Sequence, residues 1–516
     1  MCLVCAGNAR AIDSIEISAA RATFDEYEVS DLNTRISLEH KGRIRFDGDG
    51  HLFNRKSEFH GQLHKGSWQF STSVQSSAQS FLNDYHALLP MAKDWSLSGD
   101  IDLELVLNGT LLAMDKFQVR YQLNTEDLGG EIAEYALAFE GLDTQLNGLL
   151  TAGNPGFHGN ITVQYQQGLL AVNDLLLEPV KGTLNLSSGF SLERGRLRLQ
   201  ALSLTDPGGL VITVPSASLD INDPAANHEL SLNVKAEQLQ HVYSIWLQPL
   251  MYGSLLGDLE LEGDLSAKIS ISDRRVNALN LELENISMSD KAGRFSLYGF
   301  SGELTGTNQF AKGEVTFSWQ NAEVYDLLLG ATSTGFDINE MALSVKEPFN
   351  IPIYDGELKV FQLSLEELTS DQPTVIFEGT LTPVSLASIS SAFNWPPLGG
   401  TISGVIPSVR YDRTGLKVDG MLLARAFDGT FKIEHLQMSD LFGVLPQLSA
   451  DFSVNQIDLE QLTRAFDFGK MEGKLSGYIA GLKMIGWQAT EFDAFFFTPE
   501  NDESRHVISQ RAVDNL

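Results

Sequence analysis

Strict alternation of apolar and polar residues is the feature that most constrains this chain. Between Gly257 and Ser272 one side carries Leu259, Leu261, Leu265, Ala267, Ile269 and Ile271, and the intervening positions are mostly Glu, Asp, Lys and Ser. A period of two places successive side chains on opposite faces of a β-strand. Gly263 falls on the apolar side, where we expect a bend or a bulge. The segment predicts a strand with one apolar face and one wet face.

The same pattern recurs along the chain. It places Ile101, Leu103, Leu105 and Leu107 on one side of a second strand, and Leu279, Leu281 and Leu283 on one side of a third. Turn-forming residues at 154–156, 206–209 and 222–227 separate such segments. We therefore expect a mainly β protein built as an elongated, twisted antiparallel sheet.

Short amphipathic helices interrupt the predicted strands. Helical spacing of apolar residues indicates helices near 78–92, 237–250 and 457–467, with a shorter one before residue 400. Each is followed by a glycine that opens a strand, at Gly99, Gly257, Gly400 and Gly473. This order of helix, glycine and strand indicates a loose internal repeat.

Charge and cysteine content exclude some functions. The chain has 36 Lys and Arg against 67 Asp and Glu, a net charge of −31, which would repel a nucleic acid. The only two cysteines, Cys2 and Cys5, have no second pair with which to hold a metal, and we interpret them as incidental. Scarce cysteine suits an oxidising compartment.

The start lacks the pattern of a secretion signal, and no apolar run is long enough for a membrane-spanning helix, so we expect a fragment whose anchor is missing.

Catalytic signatures are absent from the sequence. It contains no nucleophile elbow, zinc-protease motif, Walker loop or dinucleotide fingerprint. His51, His60 and His64 are interpreted as solvent-facing rather than as metal ligands, and Phe46–His51 as a tight acidic turn rather than a calcium loop. We expect no enzymatic activity, no cofactor and no metal.

The C-terminal part of the chain resembles the YdbH family of AsmA-like, bridge-type intermembrane lipid-transport proteins. The resemblance is carried by the helix "LEQLTRAF", the strand "GKLSGYIAGL", the aromatic strand "FDAFFF" and the closing "ISQRAVDNL". It is strongest over residues 236–516 and looser over residues 1–235, which divides the chain into two parts of one β-groove. Members usually begin with a membrane-anchoring helix and extend beyond the closing motif.

The resemblance implies a sheet folded lengthwise into an open apolar groove in the periplasm, anchored at the inner membrane in the full-length protein. Phospholipid acyl chains would slide along this groove between the inner and outer membranes. The implied lining is Ile101, Leu103, Leu105, Leu107, Leu259, Leu261, Leu265, Ile269, Ile271, Leu279, Leu281 and Leu283. The edge strand with Phe492, Phe495, Phe496 and Phe497 would accept a small outer-membrane lipoprotein by strand addition.

Other interpretations of the pattern stay open. β-Sandwich binding modules would show the same alternation, although we find no Pro-rich or Ser-rich linker between candidate domains. An outer-membrane barrel would lack the recurring helices, and a β-helix would show a tighter period. A role in dicarboxylate transport, suggested by an older family name, lacks a cluster of basic residues.

Overall fold

The structure is a computed structural model with two compact units. Unit 1 comprises residues 1–257 and 268–275, and unit 2 comprises residues 258–267 and 276–516. The residues that it describes are 2–4, 14–24, 27–39, 41–52, 55–85, 95–132, 136–172, 175–178, 182–220, 230–252, 254, 256–272, 275–307, 311–324, 326–366, 374–392, 399–440, 445–465 and 468–515.

Unit 1 is an antiparallel meander in which strands pair in chain order. From β1 to β10 each strand pairs with the next, β10 then pairs with both β11 and β12, and the order continues to β15. The strands are β1 (Cys2–Val4), β2 (Ser14–Phe24), β3 (Tyr27–Glu39), β4 (Arg43–Leu52), β5 (Arg55–His64), β6 (Ser67–Ser77), β7 (Ser96–Thr110), β8 (Ala113–Ile132), β9 (Leu137–Gly153), β10 (Gly156–Val172), β11 (Leu175–Leu177), β12 (Leu184–Glu193), β13 (Arg196–Thr205), β14 (Leu210–Asp220) and β15 (Leu230–Ala236).

Unit 2 follows the same plan with several interrupted strands. One long strand is often paired with two shorter collinear ones, as β18 is with β20 and β19, and β27 with β28 and β29. The strands are β16 (Leu259–Ser272), which continues into unit 1, β17 (Arg275–Asp290), β18 (Phe295–Thr307), β19 (Lys312–Trp319), β20 (Asn321–Val324), β21 (Leu327–Leu329), β22 (Thr332–Asn339), β23 (Ala342–Val345), β24 (Phe349–Ile353), β25 (Gly356–Glu366), β26 (Thr374–Ser385), β27 (Thr401–Asp412), β28 (Gly415–Val418), β29 (Met421–Ala426), β30 (Gly429–Ser439), β31 (Gln447–Asp458), β32 (Met471–Glu472), β33 (Lys474–Ile485), β34 (Gln488–Phe497) and β35 (Val507–Ile508).

Short helices interrupt the meander at the four predicted places, and a further short helix near the end of the chain was not predicted. They are α1 (Ala78–Tyr85), α2 (Leu239–Val242), a π-helical turn (Tyr243–Leu247), α3 (Gln248–Met251), α4 (Leu386–Ala392), α5 (Leu459–Ala465) and α6 (Gln510–Asn515). Helix α5 begins after Asp458 because the Asp458 carboxylate accepts a hydrogen bond from the Gln461 amide at 2.9 Å. The prediction of a mainly β, antiparallel fold with short interspersed helices is confirmed. The last part of the helix predicted at 78–92 and the turn predicted at 222–227 lie outside the described residues.

The glycine predicted to disturb β16 does so. Gly263 has a φ of +113°, a conformation that other residues adopt only with strain. A Cβ there would come within 2.7 Å of the Asn285 carbonyl oxygen and 2.9 Å of Ile286 Cα. On β17 the register with β18 shifts between Leu283 and Ile286. Close backbone approach and an irregular ladder therefore coincide at Gly263.

The turn predicted at Phe46–His51 is wrong, because this segment lies inside β4. Gly48 pairs with Phe59, and Asp47 pairs with His60, so glycines and aspartates alternate between the two faces. This segment therefore does alternate with a period of two. The alternation was not recognised because glycines occupy the positions where apolar side chains would be expected. The aspartates belong to the polar face of a strand.

Some fully buried residues gather where helices meet the sheet, and others, such as Phe336, lie within strands. In unit 2 Leu386, Ala426, Phe427, Ile457 and Ala465 form one such closed cluster, with Ile457 only 1% exposed. The chain nevertheless exposes 31,025 Å² of surface. Two separate globules of half its mass would together expose roughly 22,000 Å². The chain therefore exposes more surface than two such globules would. Among the described residues no helix is long and apolar enough to cross a membrane.

Candidate functional site

An unbroken apolar row crosses unit 1 at right angles to its strands. Residues paired directly in an antiparallel ladder point to the same face, so the register identifies them. This row, called the unit 1 row, contains only apolar residues and glycine over twelve strands: Ile15, Ile36, Phe46, Gly61, Phe70, Leu107, Val119, Leu150, Gly159, Phe190, Leu199 and Ala217.

The opposite face of unit 1 is polar. Asp102 pairs with Asn124, and Glu104 pairs with Gln122, one position away from the leucines of β7. The same face continues on β9, where Asn147 pairs with Gln122. Each strand of this part of the sheet therefore separates an apolar face from a polar one, as the alternation predicted.

Unit 2 has a comparable row, called the unit 2 row. It crosses nine strands and ends on β34: Ile351, Leu358, Leu381, Gly404, Ala424, Phe431, Val454, Gly477 and Phe496. The predicted residue Leu281 lies on a row of its own, paired with Leu304 and, beyond it, Val315 and Phe336.

The predicted lining residues are mostly half-buried. Ile101, Leu259 and Leu261 are at most 9% exposed, and Ile101 lies where α1 packs on β7. The other nine are half-buried: Leu103, Leu105, Leu107, Leu265, Ile269, Ile271, Leu279, Leu281 and Leu283. Inward-facing residues of a two-sheet sandwich would be covered by the second sheet. Partial exposure of apolar residues over adjacent strands instead indicates a face that the described protein leaves open.

The predicted partner edge is fully exposed. Every residue of β34 is exposed, and among the described strands β34 pairs with β33 alone. Phe496 pairs with Gly477 and so belongs to the unit 2 row, and Phe492 shares its side by alternation. Phe495 and Phe497 point to the other face. Exposures of the four rings run from 44% to 59%.

The aromatic residues on the outer side of β34 touch one another. The ring centroid of Phe495 lies 6.1 Å from that of Tyr478 and 5.9 Å from that of Phe497. Sequence reasoning identified the phenylalanines but missed Tyr478, which sits on β33 directly opposite Phe495. This edge strand therefore presents aromatic surface on both faces together with an unpaired backbone.

Titratable side chains of the described residues form small groups on the sheet surface, such as the one around Asp47. His60 Nδ1 lies 2.8 Å from Asp47 Oδ1, and Arg45 Nε donates to Asp47 Oδ2 at 2.8 Å. Partial burial favours a higher pKa for the Asp47 carboxyl, but hydrogen bonds from Arg45 and His60 hold the pKa below its ordinary value. His51 faces Asp31 instead, at 3.6 Å. In the described part of the chain no group of three or more His, Cys, Asp or Glu residues could hold a metal ion.

A polar cavity of about 820 Å³ lies near the start of β7. Four carboxylates line it, from Asp100, Asp102, Glu126 and Asp143, and no Lys or Arg does. An anionic ligand would meet repulsion there. The cavity therefore offers nothing that would recognise a dicarboxylate.

Searches of protein-family models, of curated proteins and of solved structures find no match for this chain.

Proposed function

We propose that this protein transfers phospholipids between the inner and outer membranes of a Gram-negative envelope, with acyl chains held against the apolar faces of its two units. The observation that carries the proposal is the unit 1 row, which places apolar side chains and glycine alone on one face of twelve strands. Gly61 is buried, and the other eleven members of the row are half-buried. Apolar surface left in water is unfavourable by about 25 cal/mol per Å². Acyl chains would remove that surface from water.

Acyl chains suit this surface better than a compact ligand does. The row has no hydrogen-bonding side chain with which to orient a polar molecule. Twelve strands at ~4.8 Å spacing extend over roughly 50 Å along the sheet, which is far longer than a small-molecule site requires. The opposite face is rich in Asp, Glu, Asn and Gln. This composition supports a bound state in which only that polar face is in contact with water.

The test is mass spectrometry of lipids that copurify with the protein from envelope extracts. The proposal predicts phospholipid in at least stoichiometric amount, and no lipid with a soluble β-sandwich protein handled in parallel. Protein that carries no phospholipid, and takes up none from vesicles of phosphatidylethanolamine and phosphatidylglycerol, would overturn it.

We also propose that a small outer-membrane lipoprotein adds a strand to β34. An edge strand with free N–H and C=O groups is a template for another strand, and the phenylalanines on both faces would bury apolar surface on binding. Photo-crosslinking from position 495 in cells should capture an envelope protein, and exposed position 104 on the polar face of β7 serves as the control. Crosslinks from 495 to this chain alone would count against the partner.

A further inference from the structure

Two glycines on the apolar face of unit 1 lie beneath aromatic rings of the neighbouring strands. Gly61 on β5 pairs with Phe46, and a Cβ added to Gly61 would overlap the Cε2 and Cζ carbons of that ring. Gly109 on β7 pairs with Trp68, and a Cβ there would overlap the indole carbons Cζ2 and Cε2. Each ring therefore leans across the adjacent strand into space that any other residue would fill.

The rings near Gly61 lie almost parallel to one another. Phe46 and Phe70, which flank Gly61 on either side, have centroids 6.5 Å apart and planes inclined by 28°. Phe59 and Phe70 are 6.1 Å apart and inclined by 23°. Side chains in strands ordinarily stand roughly perpendicular to the sheet. Here the rings instead lie side by side over glycine, so this part of the apolar face is comparatively flat.

The flat position of Trp68 is not explained by a hydrogen bond. Its indole Nε1 is buried, and no described group accepts a hydrogen bond from it. A buried donor without an acceptor is unfavourable. Packing over Gly109 therefore holds the indole ring flat. An upright indole could donate its N–H to water and would avoid the unfavourable free energy of the unpaired donor.

We propose that Gly61 and Gly109 set the clearance above the apolar face of unit 1 by letting Phe46 and Trp68 lie flat, so that an unbranched acyl chain passes over the rings. This inference rests on the proposed function. It differs from a purely structural role, in which the rings only shield glycine backbone, because alanine would then displace the rings and lower stability rather than lipid binding alone.

These two positions suit the test because the three atoms nearest to an added Cβ belong to a ring in each case. Other glycines beside rings are unsuitable: a Cβ on Gly48 would also overlap the carbonyl oxygen of Asn33, and one on Gly148 that of Asn160. Gly153, which alternation places on the opposite face of β9 from Leu150, is the control, since an added Cβ there meets nothing within 4 Å. None of these three strand positions, 61, 109 and 153, has a positive φ.

The experiment compares Gly61→Ala, Gly109→Ala and Gly153→Ala in the full chain. Delipidated protein is incubated with vesicles of phosphatidylethanolamine and phosphatidylglycerol, re-isolated, and its bound phospholipid measured. We expect the first two variants to bind about tenfold less, the change that ~1.4 kcal/mol produces, with thermal unfolding close to wild type. Gly153→Ala should bind as wild type does. Adding Phe46→Ala to Gly61→Ala should restore binding, because the displaced ring is then gone.

Normal lipid binding by Gly61→Ala and Gly109→Ala would overturn the inference while leaving the proposed function intact. So would unfolding of both variants, or failure of Phe46→Ala to restore binding. A wild-type protein that binds no phospholipid would overturn the proposed function itself, and this inference with it.

Discussion

Neighbouring residues on one strand face different surroundings, and Leu105 and Glu104 show this most clearly. Leu105 is half-buried on the apolar face between Thr72 and Tyr121, whereas Glu104 is exposed on the polar face. A carboxylate in place of Leu105 can remain hydrated when no lipid is present, but acyl chains cannot solvate it. The two positions therefore separate a lipid-binding role from a folding role.

We expect Leu105→Asp to fold with a free energy of unfolding within about 1 kcal/mol of wild type, and to lose its copurifying phospholipid. Glu104→Gln should change neither property. Leu261→Asp is the contrasting case, because Leu261 is 9% exposed, and a buried unpaired carboxylate should destabilise by more than about 4 kcal/mol. Circular dichroism with lipid mass spectrometry measures both properties. A Leu105→Asp protein that unfolds, or keeps its full complement of lipid, would show that this face is not open.

Asp290 is a residue whose charge stabilises a turn of unit 2. Its side chain is fully buried, and Arg294 donates to both carboxylate oxygens, from Nε at 2.7 Å and from Nη2 at 2.8 Å. The hydrogen bonds from Arg294 lower the pKa of Asp290 from 3.8 to about 2. Because the folded-state pKa is depressed, the stabilisation is complete above 3.8 and is lost as the pH falls through about 2.

We expect Asp290→Asn to be less stable than wild type by roughly 2 kcal/mol near neutral pH, since hydrogen bonds to charged groups are lost. The difference in free energy of unfolding should shrink as the pH falls from 3.8 toward 2. Chemical denaturation at several pH values measures it. A difference that stays constant over this interval would contradict the assigned role of the carboxylate.

At the scale of elements, some positions of the sheet are fully buried and others are only partly covered. Ile457 lies in the closed cluster beneath α5 and is 1% exposed, whereas Leu281 on β17 is half-buried. Ile457→Ala should lower the free energy of unfolding by about 3 kcal/mol because it leaves a cavity. Leu281→Ala should lower it by about 1 kcal/mol or less, since its side chain is already partly hydrated. Equal losses, measured by denaturation of delipidated protein, would contradict this distinction.

Alternation in the sequence predicted β7, β16 and β17, because leucines and charged residues there mark the two faces strongly. β4 could not be recognised in that way, since glycines replace apolar side chains at Gly48 and Gly50 and the aspartates between them suggest a turn. The interrupted strands of unit 2 were also hidden, because breaks such as the one between β19 and β20 depend on which strand pairs alongside. The local sequence pattern indicates on which face of a strand each side chain lies, whereas the tertiary fold determines which strands pair.

The candidate site could be predicted in part. The lining leucines follow from period two, but their half-buried state depends on what covers the face, which no local pattern encodes. Three of the twelve, Ile101, Leu259 and Leu261, are instead buried. The contacts of Gly61 with Phe46 and of Gly109 with Trp68 could not be predicted, because each ring belongs to a neighbouring strand. Tyr478 was missed for the same reason, since its contact with Phe495 arises through pairing of β33 with β34.

For the molecule as a whole, both units combine a wide sheet with few closed clusters. The chain exposes more total surface than a pair of ordinary globular domains would. A net charge of −31 keeps the polar side of the sheet in water. The proposal of lipid transfer accounts for both properties with one ligand, because acyl chains cover the apolar faces while the charged faces keep the protein soluble.

The most direct test of this account asks whether lipid contacts one face of β7 and not the other. A photo-reactive benzoylphenylalanine is introduced at position 105 in one variant and at position 104 in another, and both are irradiated in cells. Mass spectrometry of the purified protein should then detect phospholipid attached covalently at position 105 and none at position 104. Attachment at neither position, or equally at both, would contradict the claim that the apolar face of unit 1 binds acyl chains.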